Sequence, residues 1–121
     1  MSKSVDEILK LIKKVSEKSA VVIGDIILDE YVYGIVENVS TGIQIPIIEK
    51  KSVDYRLGGA ANVAANVAGL CRNVTLISRC ADDDAGSIVK KLCSSYHVNL
   101  ANFGTEKTTV KQRIYIDNQQ L

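Results

Sequence analysis

From Val5 to Val15 apolar side chains recur at helical spacing, at Val5, Ile8, Leu9, Ile12 and Val15, and lysines at 10, 13, 14 and 18 fill the other side. The pattern predicts an amphipathic helix over residues 4–18. Ser4-Val5-Asp6-Glu7 has the form of a capping box at its start, and the apolar face is expected to lie on a sheet. The period then changes. Ala20-Val21-Val22-Ile23 is a short continuous apolar run with β-branched residues, which predicts a strand covered on both faces and ended by Gly24-Asp25.

Residues 31–55 show no helical period. Two β-rich runs, 31–36 and 43–49, with Gly42 between them, predict a small hairpin projecting from a larger fold. Pro46 lies inside the second run and predicts an edge strand, because proline has no amide proton to give to a ladder. Helical texture returns in RLGGAANVAANVAGL, Arg56 to Leu70, after the pair Gly58-Gly59. A second buried strand is expected at 74–78. Asp82, Asp83 and Asp84 gather where the next helix should begin, which suits both capping and the helix dipole. Ala85, Ile88, Val89, Leu92, Cys93 and Tyr96 give that helix its apolar stripe, and strands are expected at 98–103 and 108–116. This order predicts an α/β domain with a mostly parallel sheet and a β appendage.

A length of 121 residues fits one small domain with a real core. Basic and acidic residues nearly balance, 15 against 14, and no basic stripe is interleaved with aromatics, so a nucleic-acid surface is not favoured. Cys71, Cys80 and Cys93 are odd in number and too far apart for a C-x-x-C pair, and read as reduced, partly buried thiols of a cytoplasmic protein. The first twenty residues are charged throughout, unlike a secretory signal. No segment has the apolar length to span a bilayer, so no membrane partner is expected.

The two commonest glycine-rich phosphate loops, G-x-x-x-x-G-K-[ST] and G-x-G-x-x-G, do not occur, nor does G-x-S-x-G. His97 has no ligand partner at metal spacing and reads as a surface residue at a helix end; no metal site is expected. Two features remain. Gly24-Asp25-Ile26-Ile27-Leu28-Asp29 follows the first strand, at the strand end where open α/β sheets bind ligands. Asp25 and Asp29 there suit sugar hydroxyls, and suit an acid-capped turn equally well. Gly58-Gly59 lets a chain turn sharply and a ligand approach bare backbone at a helix start. Asn62 falls in the first turn of that helix, while Asn66 lies about 6 Å further along the axis and reads as structural. The small residues at 60, 61, 64, 65 and 68 fit close packing of the helix on a sheet, which by itself accounts for the composition.

G-D-x-x-x-D after the first strand, a β-rich excursion, and G-G-A-A-N-V-A opening a helix together resemble the ribokinase-like (PfkB) carbohydrate kinases. GDIILDEYVYG, IPIIE, LGGAANVAANVAGL and TTVKQRIYIDNQQL look like the kinase domain of the heptose-7-phosphate kinase and ADP-heptose synthase family. The resemblance runs from about Ala20 to Leu121. It implies an α/β sandwich with a mostly parallel sheet and a small β lid, formed by residues 31–55 and joined by 108–116, through which members often dimerise. It also implies transfer of the γ-phosphoryl of ATP, with Mg2+, to a sugar phosphate such as D-glycero-D-manno-heptose 7-phosphate.

Carried over by motif, Asp25 and Asp29 would lie on the sugar, with Gly58, Gly59 and Asn62 forming the pocket wall. Lys111 and Arg113 would reach the sugar's phosphate from the lid, or else be exposed charges on an edge strand; Asn118 and Gln119 are weaker candidates. The family's catalytic aspartate lies in a later Gly-Ala-Gly-Asp motif that these residues do not match. The chain therefore reads as the N-terminal, sugar-side portion of a longer kinase domain, with no catalytic residue of its own and no turnover. A non-catalytic sugar-binding or dimerisation module and a kinase for another sugar are the alternatives. Cys71 and Ala81 stand where the family usually has glycine; strain is expected at the first unless Asn73 takes over the turn.

Overall fold

The computed structural model describes residues 4–39, 42, 46–104, 106–117 and 119–121. Helix α1 (Val5–Ser16) is closed by the expected capping box: Ser4 Oγ accepts the Glu7 amide and Glu7 Oε2 accepts the Ser4 amide. Strand β1 (Ser19–Ile23) follows, and then a long antiparallel ribbon of β2 (Ile26–Val39) and β3 (Pro46–Gly58). Helix α2 (Gly59–Ala68), strand β4 (Asn73–Ser78), helix α3 (Asp84–Ser95) and strand β5 (Val98–Asn102) form the central α/β unit. Strand β6 (Val110–Ile116) and the short β7 (Gln119–Gln120) end it.

Two sheets result. One is parallel, in the order β1-β4-β5; the other is mixed, in the order β3-β2-β6-β7, with β6 parallel to β2. The expected α/β class and parallel sheet are present, and β3, which starts at Pro46, is an edge strand as the proline predicts. The ribbon is longer than the hairpin expected at 31–55, because β2 begins directly after Asp25 and β3 runs into Gly58. Residues 43–45 of the expected second run lie outside the described residues.

The core sits between α2, α3 and one face of the parallel sheet. Ala61 and Ala64 of α2 have no exposed surface, and their small side chains let the helix approach Val74 and Leu76 of β4. Val89 and Cys93 of α3 and Val98 of β5 complete this layer. Both helices cover the same face, so the expectation that β1 is covered on both faces fails: Val21 and Ile23 are 61% and 75% exposed. The apolar face of α1 is likewise open, with Val5, Ile8, Leu9, Ile12 and Val15 all exposed, rather than seated on the sheet. Amphipathy records that a face is to be covered, not what covers it.

The two sheets are joined by a few directed bonds. Buried Ser78, at the end of β4, accepts the Ile26 amide on its Oγ at 3.2 Å and so ties β4 to β2, while within the mixed sheet the Leu28 amide donates to Thr109 O at 2.8 Å. Asp83, the N-cap of α3, accepts the Gly86 amide at 2.7 Å and the Thr108 amide at 3.0 Å, which ties the approach to β6 onto the helix. These bonds hold the Asp83 carboxyl below the usual carboxylate range. Asn102 clamps Cys80 through both its amide atoms. The strain expected at Cys71 does not arise: α2 ends at Gly69 with φ −70°, Cys71 donates to Val67 O, and neither Cys71 nor Asn73 has positive φ.

Candidate functional site

The register of the mixed sheet decides which side chains meet. Residues directly opposite across a ladder share a face. Asp29 lies between Arg56 and Lys111, and Tyr31 between Asp54 and Arg113, so acids, bases and a tyrosine line one face of the ribbon. The same face continues outward as Tyr33 and Tyr115, stacked at 5.4 Å.

Gly58 and Gly59 bring this face against α2. A Cβ on Gly58 would stand 2.5 Å from Asp29 Oδ2, so the carboxylate packs directly on bare backbone. Gly59 has φ +56° and bridges to Ile26, and a Cβ there would drive into the carbonyl oxygen of Asp25. That carbonyl accepts the Ala60 amide at 2.9 Å, which fixes the first turn of α2 beside the strand. The G-D-x-x-x-D and Gly-Gly segments are thus one structural unit, although Asp29 belongs to β2 itself and not to a loop after β1.

Arg113 Nη1 donates to Asp29 Oδ1 at 2.7 Å and to the Tyr31 hydroxyl at 3.0 Å. Both members of the ion pair are sheltered, with Arg113 23% and Asp29 18% exposed. Beside them opens a cleft of about 310 Å³ lined by Asp29, Tyr31, Arg56, Leu57, Asn62, Ala65, Asn66 and Tyr96. Asn66 donates its side-chain amide to Asn62 O at 2.9 Å and lies 3.4 Å from Asn62 Oδ1. The structural reading of Asn66 is therefore incomplete: it braces the turn that carries Asn62 and also lines the cleft.

The other expected residues are placed differently. Asp25 is 87% exposed with Arg79 3.9 Å away, and does not line the cleft. Lys111 shares the ribbon face with Asp29 but is exposed and outside the cleft wall. Gln119 is exposed at the far end of β6, and Asn118 lies outside the described residues. Tyr31, Arg56 and Tyr96 were not among the expected site residues. Arg56 and Tyr31 meet only through a pairing of strands 25 positions apart, and Tyr96 enters from the end of α3 with half its surface exposed. Its place in the apolar stripe of α3 carries no sign of this.

Among the described residues no three His, Cys, Asp or Glu side chains gather to hold a metal ion. No helix among them is long and apolar enough to cross a membrane. His97 follows Tyr96, the C-cap of α3, with φ +58° and is exposed.

Residues 17–120 match the pfkB family of carbohydrate kinases. The bifunctional protein HldE of Haemophilus ducreyi is 34% identical over 110 residues, 89% of this chain and 23% of that protein. The D-beta-D-heptose 7-phosphate kinase of Bordetella bronchiseptica is 34% identical over 111 residues, 90% of this chain and 36% of that protein. The chain thus spans 23% to 36% of the length of these two relatives. A carbohydrate kinase from Agrobacterium tumefaciens superposes with a TM-score of 0.65 at 21% identity, over 86% of this chain and 34% of that one. The chain belongs to the pfkB family of carbohydrate kinases and has the ribokinase-like α/β fold.

Proposed function

We propose that this chain forms the acceptor side of a carbohydrate kinase, and that the cleft beside Asp29 binds a sugar phosphate such as D-glycero-D-manno-heptose 7-phosphate. The supporting observation is the convergence of Asp29 and Asn62 on one cleft through the Gly58-Gly59 turn. A carboxylate that already receives a guanidinium keeps its remaining lone pairs for sugar hydroxyls, and an asparagine offers both a donor and an acceptor. Arg113 orients Asp29, Asn66 orients Asn62, and Tyr96 and Tyr31 present aromatic walls to the sugar's C–H faces. Asp25 and Gly59 act through backbone, by fixing the turn.

ATP is the phosphoryl donor and Mg2+ its counter-ion in the family reaction. The side chains of this cleft suit the acceptor rather than that pair, since they offer one carboxylate already matched by Arg113 and no metal-ligand cluster. Phosphoryl transfer requires both substrates in line, so the 121-residue chain by itself is expected to bind acceptor without turnover. Ile35, Val36 and Ile47 are each at least 40% exposed on the outer ribbon, and we place homodimer contact there. Three free thiols fit a cytoplasmic location.

Calorimetry with D-glycero-D-manno-heptose 7-phosphate tests the reading. The chain should give saturable heat that Asn62→Ala abolishes while the thermal melt is kept. Heat that is the same in the two proteins would contradict it.

A further inference from the structure

Two guanidinium groups flank one ring in the cleft: the Cζ atoms of Arg56 and Arg113 lie 4.7 and 5.1 Å from the Tyr31 centroid. Their engagements differ. Arg113 is matched by sheltered Asp29, and pulling it toward another anion would leave a largely buried carboxylate unpaired. Arg56 is 61% exposed and reaches a single oxygen of Asp54, with Nε at 2.9 Å and Nη2 at 2.8 Å. Its Nη1 has no hydrogen-bond partner among the described residues.

We infer that Arg56 is the residue that reads the phosphate of the acceptor sugar. This rests on the cleft being the acceptor site, and it moves the phosphate contact away from Lys111 and Arg113. A guanidinium presents its donors in a fixed plane, and the Cζ of Arg56, 4.7 Å over the Tyr31 ring, places those donors at the cleft wall. A phosphate monoester offers three acceptor oxygens to Nη1 and, by displacing Asp54, to Nη2, giving short charge-assisted bonds. A neutral sugar gains little by that exchange. Asp54 is therefore the competitor that makes the contact selective: the two acids and two arginines around Tyr31 balance, so an uncharged ligand meets a neutral wall.

The test compares D-glycero-D-manno-heptose 7-phosphate with the unphosphorylated heptose by calorimetry on the full chain. Arg56→Gln should weaken the phosphorylated sugar by about 10- to 100-fold, the range of a hydrogen bond to a charged group. It should leave the unphosphorylated sugar within about twofold, and the exposed position predicts an unchanged melt. Asp54→Asn should tighten the phosphorylated sugar alone, and Lys111→Gln should change neither. Equal weakening of both sugars by Arg56→Gln, or a phosphate-specific loss in Lys111→Gln, overturns the inference while leaving the cleft reading standing. Equal affinity of the unaltered chain for both sugars does the same. Binding of neither sugar overturns the inference together with the cleft reading.

Discussion

Replacing Gly58 and Gly59 by alanine, one at a time, should separate folding from recognition within one turn. At Gly59 the backbone has φ +56°, and the added Cβ meets the carbonyl oxygen of Asp25, which cannot swing aside without giving up the Ala60 amide. The left-handed backbone costs an alanine about 1–2 kcal/mol, and forcing atoms into a filled site about 1–3 kcal/mol. Gly59→Ala should therefore remove about 2–5 kcal/mol from a stability that for small domains totals about 5–15 kcal/mol. At Gly58 the obstacle is the Asp29 side chain, with its Oδ2 2.5 Å from the added Cβ, and a carboxylate can rotate away.

The cost at Gly58 is then loss of the Arg113 pair, about 1–2 kcal/mol, between the values for exposed and buried pairs. Sugar binding, however, should be lost, because Asp29 no longer faces the cleft. Urea unfolding gives the first quantity and calorimetry with heptose 7-phosphate the second. A Gly59→Ala protein destabilised by less than about 1 kcal/mol, or a Gly58→Ala protein that binds sugar normally, would refute the steric argument.

Asp83 should make stability pH-dependent. Its folded pKa lies below the ordinary 3.8, so the carboxylate's contribution is fully present above that value and is lost as pH falls through the folded pKa. Asp83→Asn should be less stable than the parent at pH 7, and urea melts should show the gap narrowing below pH 3.8. Ser78→Ala leaves the Ile26 amide without its buried acceptor and should cost about 1–3 kcal/mol, seen as a lower urea midpoint with an unchanged slope. Thiol labelling of the folded chain at pH 8 should be rapid at half-buried Cys71 and slow at Cys80 and Cys93, whose burial pushes the Cys93 thiol up to about 11; fast labelling of all three would contradict the packing.

What the chain shows before folding is local. The capping box of α1, the strands β1 and β4, the Asp83 cap and the edge position of β3 all follow from residues close in sequence. The partner of each apolar face is not local, which is why the open face of α1 and the half-open β1 read as covered. Site residues divide in the same way. Asp29, Gly58, Gly59 and Asn62 belong to short motifs, whereas Arg56 and Tyr31 become neighbours through the β2–β3 register and Arg113 through a parallel pairing across some eighty positions. Lys111 and Arg113 look alike in the sequence and share one face of β6, with Lys111 directly opposite Asp29, yet it is Arg113, opposite Tyr31, that reaches both Asp29 and the Tyr31 hydroxyl and forms the sheltered pair.

The central claim is that a sugar phosphate occupies the cleft between the ribbon face and α2. An amide-resolved NMR titration of the 121-residue chain with D-glycero-D-manno-heptose 7-phosphate tests it most directly. The account predicts saturable shift changes at Asp29, Tyr31, Gly58, Gly59 and Asn62, with the β5 edge and α1 unmoved. Shifts confined to other surfaces, or none at millimolar sugar phosphate, would contradict it.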